Sequence, residues 1–442
     1  MIEDGLPRVL IISKVRVTEL DNSGASIGKW FSRWPRDRVA QLFTGARATG
    51  DPLFSNEYQI GAPERRFGGL FYKAKAPALR AVTPKSASDS AAGSSPLSLG
   101  RAAYQLLFNS GLWEFVFHPR LSPQLLNWIE RFKPEVLYVQ PADIGIAHLA
   151  TKLARHLQIP MVVQMSDDFP QRLYPYRPMT WCVDAIFKRL FRRARFLLGT
   201  GPTMQDEYLR RYGLQFLPLM IADSPSRFDE ASAKQLANNH KRVIIYSGGL
   251  GHFRWEGLVD VHTAMKRLEE EGIHTELHVF TSNAPADLGE LLGSSSVVFH
   301  KPPLDSEIPS IFKGADMLLL PESFRQESLE KIRLSISTKA HLYMMARRPT
   351  LVYGPRGAGV VEYALRDQWA YTLTSRNVEQ LSQVMKSALT DSRNGLYGPA
   401  ATATIERNHS LSAVCGKFES LFRDACSLGC QNSGSRATSL SY

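Results

Sequence analysis

The forty residues from Asp316 to Pro355, DMLLLPESFRQESLEKIRLSISTKAHLYMMARRPTLVYGP, constrain the fold more than any other stretch. Met317 to Leu320 is a short, continuous apolar run stopped by Pro321, which suits a strand buried on both faces. A polar loop follows, then Ser337-Thr338-Lys339, then the apolar-rich AHLYMMA. Ser337 or Thr338 is placed to cap that helix and leave its first N–H groups free for an anion. Arg347, Arg348 and Pro349 end the helix, and Thr350 to Tyr353 reads as the next strand, closed by Gly354-Pro355. Strand, loop, helix, strand is a crossover unit of a parallel sheet, in which ligands sit at the carboxyl ends of strands. Glu322 and Lys339 both fall there.

The same alternation runs through the rest of the chain. Arg8 to Ile12 reads as a buried strand, Asn22-Ser23-Gly24 as a flexible turn, and Ile27 to Trp34 as a helix interrupted by Pro35. Residues 74–100 are rich in Ala, Ser and Pro and read as a long flexible loop. Helices are expected over 102–108 and 123–132, a strand over 135–139 and a helix over 144–157. A strand over 161–164, a helix over 181–191, a strand over 195–198 and a helix over 203–212 follow. Residues 221–241 turn polar and read as a linker. Beyond it come strands over 243–246, 276–280 and 297–300, with helices over 258–270, 308–313, 378–389 and 411–424. The expectation is an α/β chain of two Rossmann-like, doubly wound parallel-sheet domains, residues 1–220 and 242–400. A helical segment, 401–426, and a disordered tail, 427–442, complete it.

At 442 residues the chain has room for two cores, and its 44% hydrophobic content is ordinary for a globular protein. No apolar run approaches the roughly 18 to 20 residues of a spanning helix. The opening MIEDGLPRVLIIS lacks a basic leader before an apolar core, so no signal peptide is expected. Four scattered cysteines (Cys182, Cys415, Cys426, Cys430) do not make a disulfide framework and point to reducing cytoplasm. A net charge of +11 implies anionic partners: a nucleotide diphosphate, an acidic membrane surface or nucleic acid.

Several residue groups are candidates for chemistry. Ser247-Gly248-Gly249-Leu250-Gly251 ends a strand ahead of Arg254; glycines let backbone approach a phosphate and an arginine can hold it with two bonds. The alternative is a tight turn with a surface arginine. The pattern is neither G-x-G-x-x-G nor a Walker loop, so kinase and dinucleotide readings lack support. Asp167-Asp168 follows a first-half strand and suits either proton abstraction or a turn with a helix cap. No third acidic or histidine ligand accompanies the pair, so no metal is expected, and His118, His148, His262 and His274 show no ligand or triad spacing. Lys188, Arg189, Arg192 and Arg193 share one side of a helix after Trp181, either a solvated face or one resting on anionic lipid. No nucleic-acid motif accompanies that charge.

Taken in order, the strand before Pro321-Glu322, Ser337-Thr338-Lys339, the Tyr343-Met344 helix, Pro349 and Val352-Tyr353-Gly354-Pro355 resemble the donor half of GT-B glycosyltransferases. The likeness is to the retaining family-4 type that builds bacterial polysaccharides, well over 240–390 and loosely over the first 220 residues. It implies a sugar-nucleotide donor held by Gly24, Gly248, Gly249, Arg254, Glu322, Ser337, Thr338, Lys339 and Tyr343, with Arg254 and Lys339 neutralising the leaving diphosphate. It implies an acceptor-side role for Asp167 or Asp168, a glycan or lipid-linked acceptor, no metal or other cofactor, and a last helix crossing back to the first domain. Two positions depart from the family pattern. Glu256-Gly257 stands where the family has Lys-Gly, and Leu342 where it has the ribose-binding glutamate; Glu330, seven after the residue next to Glu322, lies on a charged loop. A nucleotide-sugar epimerase of the same fold and a non-catalytic nucleotide-sugar-binding subunit are the competing readings.

Overall fold

The computed structural model describes residues 5–18, 22–45, 51–64, 118–172, 177–237, 240–282, 288–289, 296–391 and 395–427. The expected loop 74–100, the helix over 102–108, the tail beyond Ser427 and Cys430 lie outside the described residues.

Two parallel sheets organise the chain. The first holds β1 (Val9–Ser13), β2 (Val39–Phe43), β3 (Asn56–Gln59), β4 (Val136–Val139), β5 (Met161–Met165), β6 (Phe196–Gly199) and β7 (Leu217–Pro218) in the order β3-β2-β1-β4-β5-β6-β7. The second holds β8 (Arg242–Ser247), β9 (Thr275–Phe280), β10 (Val297–His300), β11 (Met317–Pro321), β12 (Thr350–Tyr353) and β13 (Tyr371–Leu373) in the order β10-β9-β8-β11-β12-β13. In each, the chain winds outward one way and then returns to wind the other. The reversals lie between β1 and β4, with Val9 beside Val136, and between β8 and β11, with Ile244 beside Met317. Such reversals open the crevice where α/β sheets bind ligands. The strands are apolar throughout because helices cover both faces: every residue of β1, β2, β4, β5, β11 and β12 is buried.

The helices over 123–132, 144–157 and 308–313 and the strands over 297–300 and 350–353 have the expected bounds. Several expectations change. Gly24 does not sit in a turn: helix Asn22–Trp30 runs through it, because a glycine there lets the first turn press on the backbone of Val17 and Thr18. A Cβ at Gly24 would lie 2.7 Å from the Thr18 carbonyl oxygen. The polar loop after Glu322 contains a helix, Gln326–Ile332, whose Ser328 and Ile332 are buried. Glu330 is therefore exposed on a helix and not on a loop. Helices Gly359–Asp367 and Gly398–Asn408 and strands β2, β3, β7 and β13 complete the two sheets' coverage and were not foreseen.

The helix Gly398–Asn408 stays against the second domain, while Leu411–Ser427 packs on helix Asn22–Trp30 and strands β4 and β5. Its Phe418 and Phe422 join Phe31, Trp34 and Tyr138 in one aromatic cluster; the Phe31 and Phe418 ring centroids are 5.0 Å apart.

Candidate active site

A cleft with a volume of about 300 Å³ opens between the carboxyl ends of the two sheets. Gln140, Gln164, Asp167 and Thr200 line it from the first domain; Tyr246, Arg254, Glu322 and Lys339 line it from the second.

The glycine turn after β8 is built to bring backbone close to Lys339. Gly248 has φ +150, a value that L side chains rarely adopt, and a Cβ there would lie 2.3 Å from the Lys339 Cε. The turn is held from behind. Ser247 N–H donates to the Tyr343 hydroxyl at 3.0 Å, Gly248 N–H donates to the Phe280 carbonyl at 2.9 Å, and the Tyr246 hydroxyl donates to the Gly249 carbonyl at 2.7 Å. Tyr343 is fully buried and supports the turn from beneath; it does not line the cleft.

Lys339 is half-buried, and among the described residues no group accepts a hydrogen bond from its ammonium. Burial first, and then the Arg254 charge, push its pKa down to about 8, against the pull of Glu322. Ser337 and Thr338 line the cleft, but neither caps the following helix. Lys339 itself is the N-cap residue, without a side-chain cap bond, and Ser337 Oγ accepts only a long 3.4 Å contact from the Lys339 N–H. The turn Ala340 N–H to Ser337 C=O, 3.1 Å, starts the helix later than expected, and Ala340–Met345 is only six residues long. The cation in this half-site is therefore the side chain of Lys339, not a helix terminus.

Arg254 is not free in the cleft. Its Nε and Nη2 donate to the two Glu322 oxygens at 2.8 and 3.2 Å, a fork-to-carboxylate pair. Glu322 is buried after β11, and its N–H donates to the Tyr353 carbonyl at 2.7 Å. Burial opposes the Arg254 charge, but the Glu322 carboxylate outweighs it and raises the guanidinium pKa. Glu256, where the resembled family carries lysine, is also neutralised: Arg325 Nε donates to it at 2.7 Å and Arg376 Nη1 at 3.3 Å. Leu342 is half-buried and packs on the second domain's core.

The two adjacent aspartates part company. Asp168 is buried, takes two bonds from Arg211 at 2.7 and 3.0 Å, and accepts from the Tyr208 hydroxyl at 3.0 Å. It is a structural ion pair outside the cleft lining. Asp167 lines the cleft and accepts a hydrogen bond from Ser335 of the second domain. Gly24 is away from the cleft lining, beneath Val17 and Thr18. The basic side of helix Arg177–Arg193 is separate as well: Arg189, Arg192 and Arg193 are exposed, Lys188 is half-buried, and Trp181 stands 77% exposed on the same helix. Among the described residues no group of three His, Cys, Asp or Glu side chains is arranged to hold a metal ion.

Sequence reasoning missed Gln164 and Ser335. Gln164 is fully buried at the cleft wall, where its Oε1 accepts from Tyr138 and from Gln140 Nε2, the latter at 3.0 Å, while its own Nε2 has no partner. A glutamine inside the apolar run MVVQM was the available signal, since a buried amide needs a reason. Ser335 had none, because its partner is 168 residues away.

No protein-family model matches the sequence, and no curated protein is significantly similar to it. Solved structures are similar over nearly the whole chain. Sucrose-phosphate synthase from Thermosynechococcus elongatus superposes with a TM-score of 0.61 at 9% identity, covering 95% of this chain and 100% of that one. Trehalose-6-phosphate from E. coli bound with UDP-2-fluoro glucose gives 0.57 at 12% identity, covering 95% and 98%. Anabaena HepE in complex with UDP and glucose gives 0.59 at 9%, covering 94% and 99%. With two parallel-sheet domains facing across a cleft, the chain has the GT-B fold.

Proposed function

We propose that this protein is a glycosyltransferase that moves a sugar from a nucleotide diphosphate to a glycan or lipid-linked acceptor, with retention of anomeric configuration. The observation that carries the reading is Lys339: an unpaired ammonium, half-buried over Gly248 and beside the Arg254–Glu322 pair, at the carboxyl ends of two facing sheets. In transfer, the bond from the anomeric carbon to the diphosphate oxygen breaks, and negative charge grows on the leaving group. A bond to the acceptor hydroxyl oxygen forms, and that hydroxyl's proton must leave. In this reading Lys339 and Arg254 stabilise the diphosphate, and Asp167, which lines the cleft from the first domain, serves the acceptor. These protein cations supply the charge in this reading, so it calls for no metal. Two of the structural neighbours are described with UDP and a glucosyl group or glucose, which supports a nucleotide-sugar donor.

Glu256 weighs little against turnover, because Arg325 and Arg376 already neutralise it. The reading is tested by a panel of nucleotide diphosphates in thermal shift, since a bound nucleotide stabilises the native state. Incubation of the matching nucleotide sugar with and without acceptors then follows. Glycoside formed only with an acceptor, of unchanged anomeric configuration by NMR, is the expected product. Free sugar and nucleotide without any acceptor would mean an epimerase. Nucleotide binding with no turnover across the panel would mean a binding subunit.

A further inference from the structure

The first sheet frames a second cavity at the end opposite the cleft. Its volume is about 580 Å³, inside the roughly 300–1,000 Å³ range of small-molecule sites. The walls come from residues that enter the strands. Arg8 immediately precedes β1, Arg38 precedes β2, Asn56 opens β3 and Glu135 precedes β4. Helix Pro123–Phe132 closes the cavity with Trp128 and Arg131. With a rise of about 3.3 Å per residue, strands of this length set the cavity on the order of 15 Å from the cleft.

Its electrostatics are unbalanced. Among the described residues none of the three guanidinium groups forms a salt bridge, although Asp37 and Glu135 share the cavity. Glu135 is engaged elsewhere: its Oε2 accepts from the Arg8 backbone N–H at 2.7 Å, and its own N–H returns to the Arg8 carbonyl at 2.8 Å. Arg38 Nη1 donates to the Leu6 carbonyl at 2.6 Å, which leaves its other donors. The Arg8 Nε is buried and has no hydrogen-bond partner. Buried polar groups are nearly always paired, and an orphaned cationic donor is among the costlier exceptions. The partner that fits three guanidinium groups without an ion pair is an anion.

We infer that this cavity is a second binding site, for a small phosphate ester, separate from the cleft. Guanidinium forks match phosphate oxygens in pairs. Six of the eight lining residues are charged or amide, so the ligand is predominantly polar. The carboxylates of Asp37 and Glu135 suit the hydroxyl groups of an ester better than bare phosphate, whose charge they repel. Asn56 accepts from the Trp128 indole N–H at 3.0 Å and so fixes the ring that forms one wall.

The test uses the full-length protein, with inorganic phosphate and glycerol 3-phosphate as probes in titration calorimetry. Variants are Lys339→Ala in the cleft, Arg131→Gln, and the pair Arg38→Gln with Arg131→Gln. Arg131 is exposed, so its replacement leaves folding intact, which a thermal melt checks. Glycerol 3-phosphate should bind with Kd of about 1 mM or tighter, and inorganic phosphate more weakly. Lys339→Ala should keep that binding, and the double arginine variant should weaken it by about tenfold or more. The proposal is overturned by absent binding in the parent. It is equally overturned by binding that Lys339→Ala abolishes and the arginine variants keep, which would place the phosphate in the cleft. Equal affinity for the two probes would remove the ester from the assignment.

Discussion

Lys339 carries a conflict that a ligand would resolve. Its ordinary pKa of 10.5 falls to about 8 in the folded chain. Between those values the unfolded chain binds more protons, so stability rises with pH across that window, and below about 8 the charged lysine is held at a cost. A bound diphosphate would pull the pKa back up. Nucleotide diphosphate binding should therefore take up a proton and weaken as pH rises past about 8. Calorimetry in buffers of different ionisation enthalpy measures that proton, and Lys339→Ala should remove it while lowering affinity and cutting turnover by about 100-fold. Near-normal transfer by a well-folded Lys339→Ala protein would remove the centre of the assigned site. The neighbouring aspartates give a second, opposed pair of outcomes. Asp168→Asn takes the carboxylate charge away from half-buried Arg211, which keeps Glu207 at 3.0 Å, and should cost about 1.5–3 kcal/mol of stability in urea melts. Asp167→Asn should leave the fold intact and reduce turnover by about 100-fold at unchanged donor affinity; equal losses of stability from both changes would make the two residues alike and structural.

At the scale of one element, helix Arg177–Arg193 buries Val183, Phe187, Leu190 and Phe191 against the first core and turns Arg189, Arg192 and Arg193 to solvent. Beside them Trp181 exposes 77% of its surface, an unusual cost for a large ring in water. We propose that this side rests on an anionic membrane, with the indole at the headgroup level and each basic residue adding on the order of 1 kcal/mol. No described helix is long and apolar enough to cross a membrane, so the contact would be peripheral. Co-sedimentation with vesicles containing phosphatidylserine should fall with added salt and fall again when Lys188, Arg189, Arg192 and Arg193 become Gln. Unchanged sedimentation of that variant would leave the helix as a solvated face.

At the scale of the whole molecule, the loop after helix Gln326–Ile332 joins the two domains beneath the cleft. Leu334 belongs to the second domain in sequence but is buried in the first domain's core. Arg333 pairs with Glu207 at 2.8 Å, Ser335 bonds Asp167, and Ile336 packs where Gly201 leaves room: a Cβ there would lie 2.3 Å from its Cδ1. This loop sets how far apart Asp167 and Lys339 stand. Leu334→Ala should lower stability by about 2–5 kcal/mol and widen the cleft, read as a larger radius of gyration in small-angle scattering. Unaltered scattering with unaltered melting would mean that the loop does not hold the domains together.

The alternation of apolar runs with amphipathic segments was enough to fix two parallel-sheet domains, because a strand buried on both faces has a signature that needs no partner to be read. Glu322 and the glycine turn were legible for the same reason, since each follows directly on such a strand, while Arg254 and Lys339 were legible from the order of the motifs around them. Edge strands such as β3, NEYQ, carry no such run, since half-exposed residues alternate without an apolar core. What only the tertiary structure decided was pairing. Arg254 meets Glu322 across 68 residues, Ser335 meets Asp167 across 168, and Arg211 claims Asp168 but leaves its neighbour in the cleft. Adjacent aspartates read alike in a sequence, and they differ here because consecutive side chains point different ways once the backbone is fixed. Charge partners are chosen by the packing of distant elements, and no local pattern records that choice.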